Sequence, residues 1–524
     1  MKRRDFCKGL AVTFAAGTLA PAAALPQAGA ATALVGRAVP DDYYTLWYRS
    51  DRCGADLRHD YYYSDSLFDH PATEYDNQLA LATLGMAAAA DCPWESDQRY
   101  WMEGEVGRAD HIRDAFAKLG FTEVQLFNYT HSLNDTPDTV GCAIARKTLV
   151  RGGRQVTIIG AFLRGSGYGA EWSGNLHAGP GSAHVGFVTA ARQLVEKIRA
   201  YVQASAKRQP LGTLKLWMGG YSRGGGVANL VAARLPAVLP QLEKKNTFVY
   251  TFAAPASLTA ADCPDLQQDY DNNHAADGSL KKNWGTSNIF NIVSSGDVIP
   301  RILPAEWGFY RNGNDRFLPS TVIPEELQAL NDRSAGMEGT PMDFGRLAVS
   351  EETDAVLRSM LDLFCDRQTY YEDYEDAMRC MLQCATTRTE EEVTRGIVRD
   401  DAAVVAQLRS MELMQRFPQE KVERCVQAAS ALSRPVLEKL GSAVPLQAQQ
   451  IVIPMLAVGL CFELQPETVQ LVADFVLSTI TVKGQLSGIL KTVLCHFQEN
   501  YITVLEAYDP ADHGMTPYTR REEL

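Results

Sequence analysis

Apolar positions follow two different rhythms along this chain. From Cys142 to Val293 they fall in short runs rich in β-branched and aromatic residues, alternating with helical spacings. From about Glu325 to Leu490 they recur every three or four residues with little strand signal. In the first region Gly141 to Ala145 and Gln155 to Phe162 read as neighbouring strands joined through the turn-forming Arg151-Gly152-Gly153-Arg154. Thr189 to Val202 reads as a helix, Leu214 to Met218 as a buried strand, and Val227, Leu230, Val231 and Leu235 as one face of a helix. Asn246 to Ala253, stopped by Pro255, and Ser287 to Val293 are two more strands. Strands alternating with helices imply a mainly parallel sheet covered on both faces.

Ahead of that region, residues 31–140 read as a lead-in of helices and loops. Asp76 to Met86 has the spacing of an amphipathic helix, and Asp110 to Leu119 that of another ending at Gly120. Tyr61-Tyr62-Tyr63 reads as a strand or loop near the surface, because its neighbours are too acidic for a stacking groove on nucleic acid. In the second region Asp354 to Cys384, Ala402 to Phe417, Gln419 to Leu440 and Ala448 to Thr479 are expected helices, and 325–490 reads as a helical insertion or cap. The apolar run Ile451 to Phe462 is too short to span a bilayer and reads as a buried helix. Residues 491–524 would return to the sheet core and end in a tail.

One junction carries candidate chemistry. Between the strand Leu214 to Met218 and the helix behind it stands Gly220-Tyr221-Ser222-Arg223-Gly224, a G-x-S-x-G pentapeptide. The pentapeptide alone is weak, but strand, sharp turn and helix in that order are what a nucleophile elbow requires. Gly219, Gly220, Gly224, Gly225 and Gly226 supply the small neighbours such a turn needs.

A serine hydroxyl becomes a useful nucleophile when a histidine takes its proton and a carboxylate orients that histidine. Asp297, in the loop after the strand Ser287 to Val293, stands where the acid of a Ser, Asp, His chain order belongs. Of the 9 histidines only His496 and His513 follow it. His513 lies in a polar segment near the C-terminus, whereas His496 sits between apolar stretches, and His496 is the expected base.

Composition narrows the classes. The 524 residues are 46% hydrophobic and 22% charged, as in globular proteins, and the formal charge of -13 disfavours nucleic acid as a partner. Lys2-Arg3-Arg4-Asp5-Phe6-Cys7-Lys8, a short apolar stretch and small residues near Ala28-Gly29-Ala30 resemble a twin-arginine export signal over residues 1–30. Its removal would take four basic side chains and one acidic, lowering the formal charge by three to -16. Of 11 cysteines ten would remain; none forms a C-x-x-C pair or a zinc-spaced cluster, so neither metal nor cofactor is expected. Most read as packing residues.

Taken in order, Leu163-Arg164-Gly165-Ser166, Trp172, His184-Val185-Gly186-Phe187, the elbow, Thr251 to Pro255, Asn291-Ile292-Val293 with Asp297 and Pro300, and His496 to Tyr501 resemble the landmarks of class 3 (fungal-type) lipases and their bacterial relatives. The resemblance spans roughly Asp76 to Tyr508 apart from the insertion. It implies an α/β-hydrolase fold over 31–324 and 491–524, with the insertion between acid and histidine. It further implies Ser222 as nucleophile, Asp297 as acid, His496 as base, and an oxyanion hole from the Arg223 N–H and the N–H and hydroxyl of Ser166. The activity implied is hydrolysis of carboxylic esters, acylglycerols or shorter acyl esters, with transient contact to an interface if the substrate is lipid. Tyr221 and Arg223 depart from the His and Leu common in the family, and about 200 residues separate Asp297 from His496, which leaves a fixed-cap esterase and an inactive binding scaffold as alternatives.

Overall fold

A hairpin of β1 (Asp42–Ser50) and β2 (Ala55–Tyr63) opens the described chain, where the sequence predicted helices and loops. The computed structural model describes residues 38–50, 55–91, 104–105, 109–131, 138–166, 171, 174–175, 177, 184–259, 286–294, 297, 299–301, 309–318, 376–377, 379–381, 383–384, 395–440, 446–464 and 496–507. The export signal, Trp172 and His513 therefore lie outside the described residues. The tyrosine run does form a strand, but Tyr61 and Tyr63 are buried rather than near the surface. Period-two alternation points both toward the protein, and Tyr63 stacks on Trp217 with ring centroids 5.7 Å apart.

Helix α1 (Asn77–Ala90) is capped by the Asp76 carboxylate, which accepts from the Leu79 N–H at 2.8 Å. It differs from the expected amphipathic helix, since every residue from Leu79 to Ala90 is buried. Its small side chains allow close packing all round. Helix α2 (Ala109–Lys118) follows and stops at Gly120, whose φ of 77° closes the turn.

The central sheet comprises β3 (Thr122–Phe127), β4 (Cys142–Arg151), β5 (Arg154–Leu163), β6 (Thr213–Tyr221), β7 (Thr247–Phe252), β8 (Ile289–Ser294) and β9 (Asn314–Leu318). Across it the order is β9-β8-β7-β6-β5-β4-β3. Strands β5 to β9 pair in parallel, while β4 runs antiparallel to both neighbours. The β4–β5 hairpin turns at Gly152 and Gly153, both with positive φ. Helix α3 (Val185–Arg208) leads into β6, and α4 (Arg223–Val238) leaves it.

The two faces carry separate cores. Ala143, Phe162, Trp217, Tyr250 and Phe290 pack with α1, α2, the β1–β2 hairpin and α8 (Gln498–Ala507); Ile144, Ala161, Met218 and Val249 pack with α3 and α4. Neighbours along a strand thus serve opposite cores, and β7 and β8 are buried throughout, as interior parallel strands must be. The sheet is mostly parallel and covered by helices on both faces, the α/β-hydrolase arrangement.

Between β9 and α8, helices α5 (Asp401–Ser410), α6 (Gln419–Leu440) and α7 (Leu446–Cys461) bury a third cluster with Cys380, Met381 and Cys384. Burial pushes the thiols of Cys380 and Cys461 up to about 12, as befits packing residues. No described helix is long and apolar enough to cross a membrane.

Candidate active site

The turn between β6 and α4 places Ser222 at φ 53° and ψ −125°, a conformation that costs a non-glycine residue about 1–3 kcal/mol and must be held by its surroundings. Two backbone bonds hold it. The Ser222 N–H donates to the Phe252 carbonyl at 2.9 Å at the end of β7, and the Ser222 carbonyl accepts from the Gly226 N–H at 3.1 Å within α4. Glycine is required on both sides for lack of room. A Cβ on Gly220 would run into the Gly224 carbonyl, and one on Gly224 into the carbonyl oxygens of Leu163 and Arg164. The second clash also locates the Arg164-Gly165-Ser166 turn directly against the elbow.

Three chain segments meet above that turn. His496, just before α8, places Nε2 2.8 Å from the Ser222 hydroxyl and Nδ1 2.8 Å from the Asp297 carboxylate. Asp297, just past β8, is fully buried, and its other oxygen accepts from the Ile299 N–H at 2.9 Å. An imidazole bonded in this way on both sides can accept a hydroxyl proton at one nitrogen while the carboxylate steadies the proton on the other. The expected nucleophile, base and acid are therefore brought into one line.

Several supporting groups escaped the sequence reading. The buried Tyr501 hydroxyl donates to the same Asp297 oxygen as His496, at 2.7 Å, and accepts from the Ser294 N–H at 3.0 Å. Burial, and then the Asp297 charge, hold its phenol well above the usual range, so it remains a donor. The Tyr221 hydroxyl donates to the His496 carbonyl at 2.5 Å, which gives a role to an elbow residue that departs from the family pattern. Asp91, after α1, accepts from the Gly165 N–H at 2.8 Å and from the Gln498 amide at 2.5 Å, joining the 164–166 turn to the histidine segment. Tyr501 stands five positions after His496 in the predicted landmark; Asp91 carries no local signal at all.

The two expected oxyanion residues lie on either side of this junction. Arg223 opens α4, and Ser166 follows a turn anchored by an ion pair with no solvent exposure. Arg164 donates Nη1 and Nη2 to the two Glu171 oxygens at 2.6 and 2.9 Å, and Nη2 also to the Asn128 carbonyl at 2.8 Å. Breaking such a pair from one side costs about 3–5 kcal/mol, so the turn is held firmly. No group of three or more His, Cys, Asp or Glu among the described residues is arranged to hold a metal.

Residues 165–307 match the family model described as lipase (class 3). The solved structures similar to this chain include a triacylglycerol lipase whose catalytic centre is a serine-protease triad, at 20% identity over 46% of this chain and 79% of that one, with a TM-score of 0.31. The Rhizomucor miehei lipase–propeptide complex is similar at 19% identity over 46% and 68%, with a TM-score of 0.29. The lipase of Rhizopus microsporus var. chinensis is similar at 18% identity over 46% and 73%, also with a TM-score of 0.29. No curated protein sequence matches the chain. The strand–elbow–helix junction lies inside the matched segment, so residues 165–307 are class 3 lipase-like within an α/β-hydrolase fold, and the chain is a carboxylic ester hydrolase of the lipase type.

Proposed function

We propose that the chain is an exported serine hydrolase that cleaves acylglycerol or shorter acyl esters through an acyl-enzyme, with Ser222 as nucleophile, His496 as general base and Asp297 as its orienting acid. The observation that carries this reading is the pair of 2.8 Å bonds that place His496 between the Ser222 hydroxyl and the Asp297 carboxylate. As Ser222 Oγ attacks the ester carbonyl, its proton passes to His496 Nε2, and the carbonyl oxygen becomes an oxyanion. Collapse breaks the bond to the alcohol, which leaves with the proton from His496. Water activated by the same imidazole then attacks the acyl-enzyme, releasing the acid and restoring Ser222.

Three donors on two residues meet the oxyanion in this scheme, the Arg223 N–H and the Ser166 N–H and hydroxyl. Donors aimed at a charge that exists only in the transition state accelerate turnover rather than merely tightening binding. The helical segment between Asp297 and His496 is proposed as a cap over the substrate, since its place in the chain, between acid and base, leads it away from and back to the site.

The test is labelling of the mature protein with a fluorophosphonate, together with hydrolysis of esters of graded acyl length. Labelling and turnover are expected for the wild type and lost in Ser222→Ala and His496→Ala, and the length profile separates a lipase from a short-chain esterase. A folded wild type that neither labels nor turns over would refute the hydrolase reading in favour of a binding scaffold. Expressed in full, the exported product is expected to begin close after Ala30; an intact residue 1 on exported protein would refute the cleaved signal.

A further inference from the structure

Four of the five described cysteines meet in the helical segment between Asp297 and His496. Cys380, Cys384 and Cys461 lie inside its buried cluster, and Cys425 packs against that cluster from a half-buried position on α6. Two contacts fix how α6 meets α7. Lys421 Nζ donates to Glu463 Oε1 at 2.9 Å, and the Phe417 and Phe462 rings meet edge to face with centroids 4.9 Å apart. The start of α6 therefore lies against the end of α7. Cys425 stands one helical turn after Lys421 on the same face, and Cys461 stands two residues before Glu463. The two side chains are accordingly neighbours, and their thiols share a hydrogen bond.

In a reducing compartment this pair only fills space, whereas exported thiols that touch are oxidised and stay so. Building on the export reading above, we propose that Cys425 and Cys461 form a disulfide that staples α6 to α7, with a second disulfide, of a small molecule or of a protein, as the oxidant. Cys425 is the sulfur an oxidant can reach, since Cys461, Cys380 and Cys384 are all buried. Its thiolate attacks the oxidant, giving a mixed disulfide and releasing one thiol. The Cys461 thiolate then attacks Cys425 Sγ and expels the second thiol. The two cysteines lose two electrons and two protons, and the oxidant gains both pairs as its two thiols.

The test uses the mature protein, purified with a reductant and then equilibrated with oxidised glutathione. A digest without reductant is expected to yield the Cys425 and Cys461 peptides joined, lighter by two hydrogens than the two apart. Cys461→Ala is expected to halt at the first step and carry glutathione on Cys425, and Cys425→Ala to leave the Cys461 thiol free. The linked wild type is expected to melt about 5 °C above its reduced form, because the link restricts the unfolded chain, and Cys425→Ala to show no such gap. Protein collected outside the cell is expected to carry the link already.

Thiols at 425 and 461 that stay free in oxidised glutathione, or that pair with other cysteines, would overturn the inference. So would exported protein with both thiols free, or linked and reduced forms that melt together. Protein retained in the cell with free thiols, which then links in glutathione, would refute the export reading and leave the pairing of Cys425 with Cys461 standing. Failure of Ser222 to label bears on the hydrolase reading alone.

Discussion

His184 shows how much a single buried side chain can govern. Desolvation, opposed in part by its bond to the Asn175 carbonyl, lowers its pKa to about 3 from the usual 6.5, so the ring stays neutral in the folded protein. Between about pH 3 and 6.5 the unfolded chain holds a proton there that the folded chain does not, so stability contributed by His184 falls as pH falls through this window. The slope from this one proton approaches about 1.4 kcal/mol per pH unit. Denaturant titrations from pH 7 down to pH 4 are expected to show the gap between wild type and His184→Gln narrowing by that slope; a constant gap would contradict it. At this scale the sequence was informative where chemistry is local. Ser222, Asp297 and His496 were legible from an elbow, a chain order and the scarcity of later histidines. Tyr501 and Asp91 were not, because a supporting group is defined by what it touches, and their partners are distant in the chain.

Among the elements, the junction of β6 with α4 leaves no room for side chains. Its glycines bring the helix start against the end of β5, and no side chain fits between. Gly224→Ala is expected to cost more than about 3 kcal/mol, in the range of overpacking against backbone that cannot yield, measured as the shift in urea midpoint. Gly226→Ala meets nothing nearer than the Phe187 ring edge and the Ser257 hydroxyl at 3.1–3.2 Å, so it serves as the milder comparison. Strand and helix assignments on either side of this junction were readable because period-two and three-to-four-residue patterns survive burial on both faces. The pattern misled in two places. An all-buried α1 has no polar face to reveal, and the β1–β2 hairpin turns Tyr61 and Tyr63 inward, where acidic neighbours had pointed to a surface.

For the whole molecule, Asp91 joins segments far apart in the chain. Its carboxylate bonds to Gly165, 74 residues later, and to Gln498, 407 residues later, so it ties the end of α1 to both sides of the site. Asp91→Ala leaves those donors without a partner at about 1–3 kcal/mol each, and is expected to lower the melting temperature and to depress kcat by at least tenfold through a loosened 164–166 turn. Unchanged kcat in a destabilised variant would confine Asp91 to a structural role. The sequence by itself determined the parallel α/β core, the elbow and the chain order of Ser222, Asp297 and His496, since each rests on periodicity or on short spacing that the chain carries locally. Only the tertiary structure decided which histidine reaches Ser222, which buried polar groups hold Asp297, His496 and the 164–166 turn, and that hydrogen bonds run from Arg223 through Asn175 to the Ser166 hydroxyl. Those are contacts between segments brought together by burial of two sheet faces, and burial leaves no spacing in the sequence from which the partners can be read.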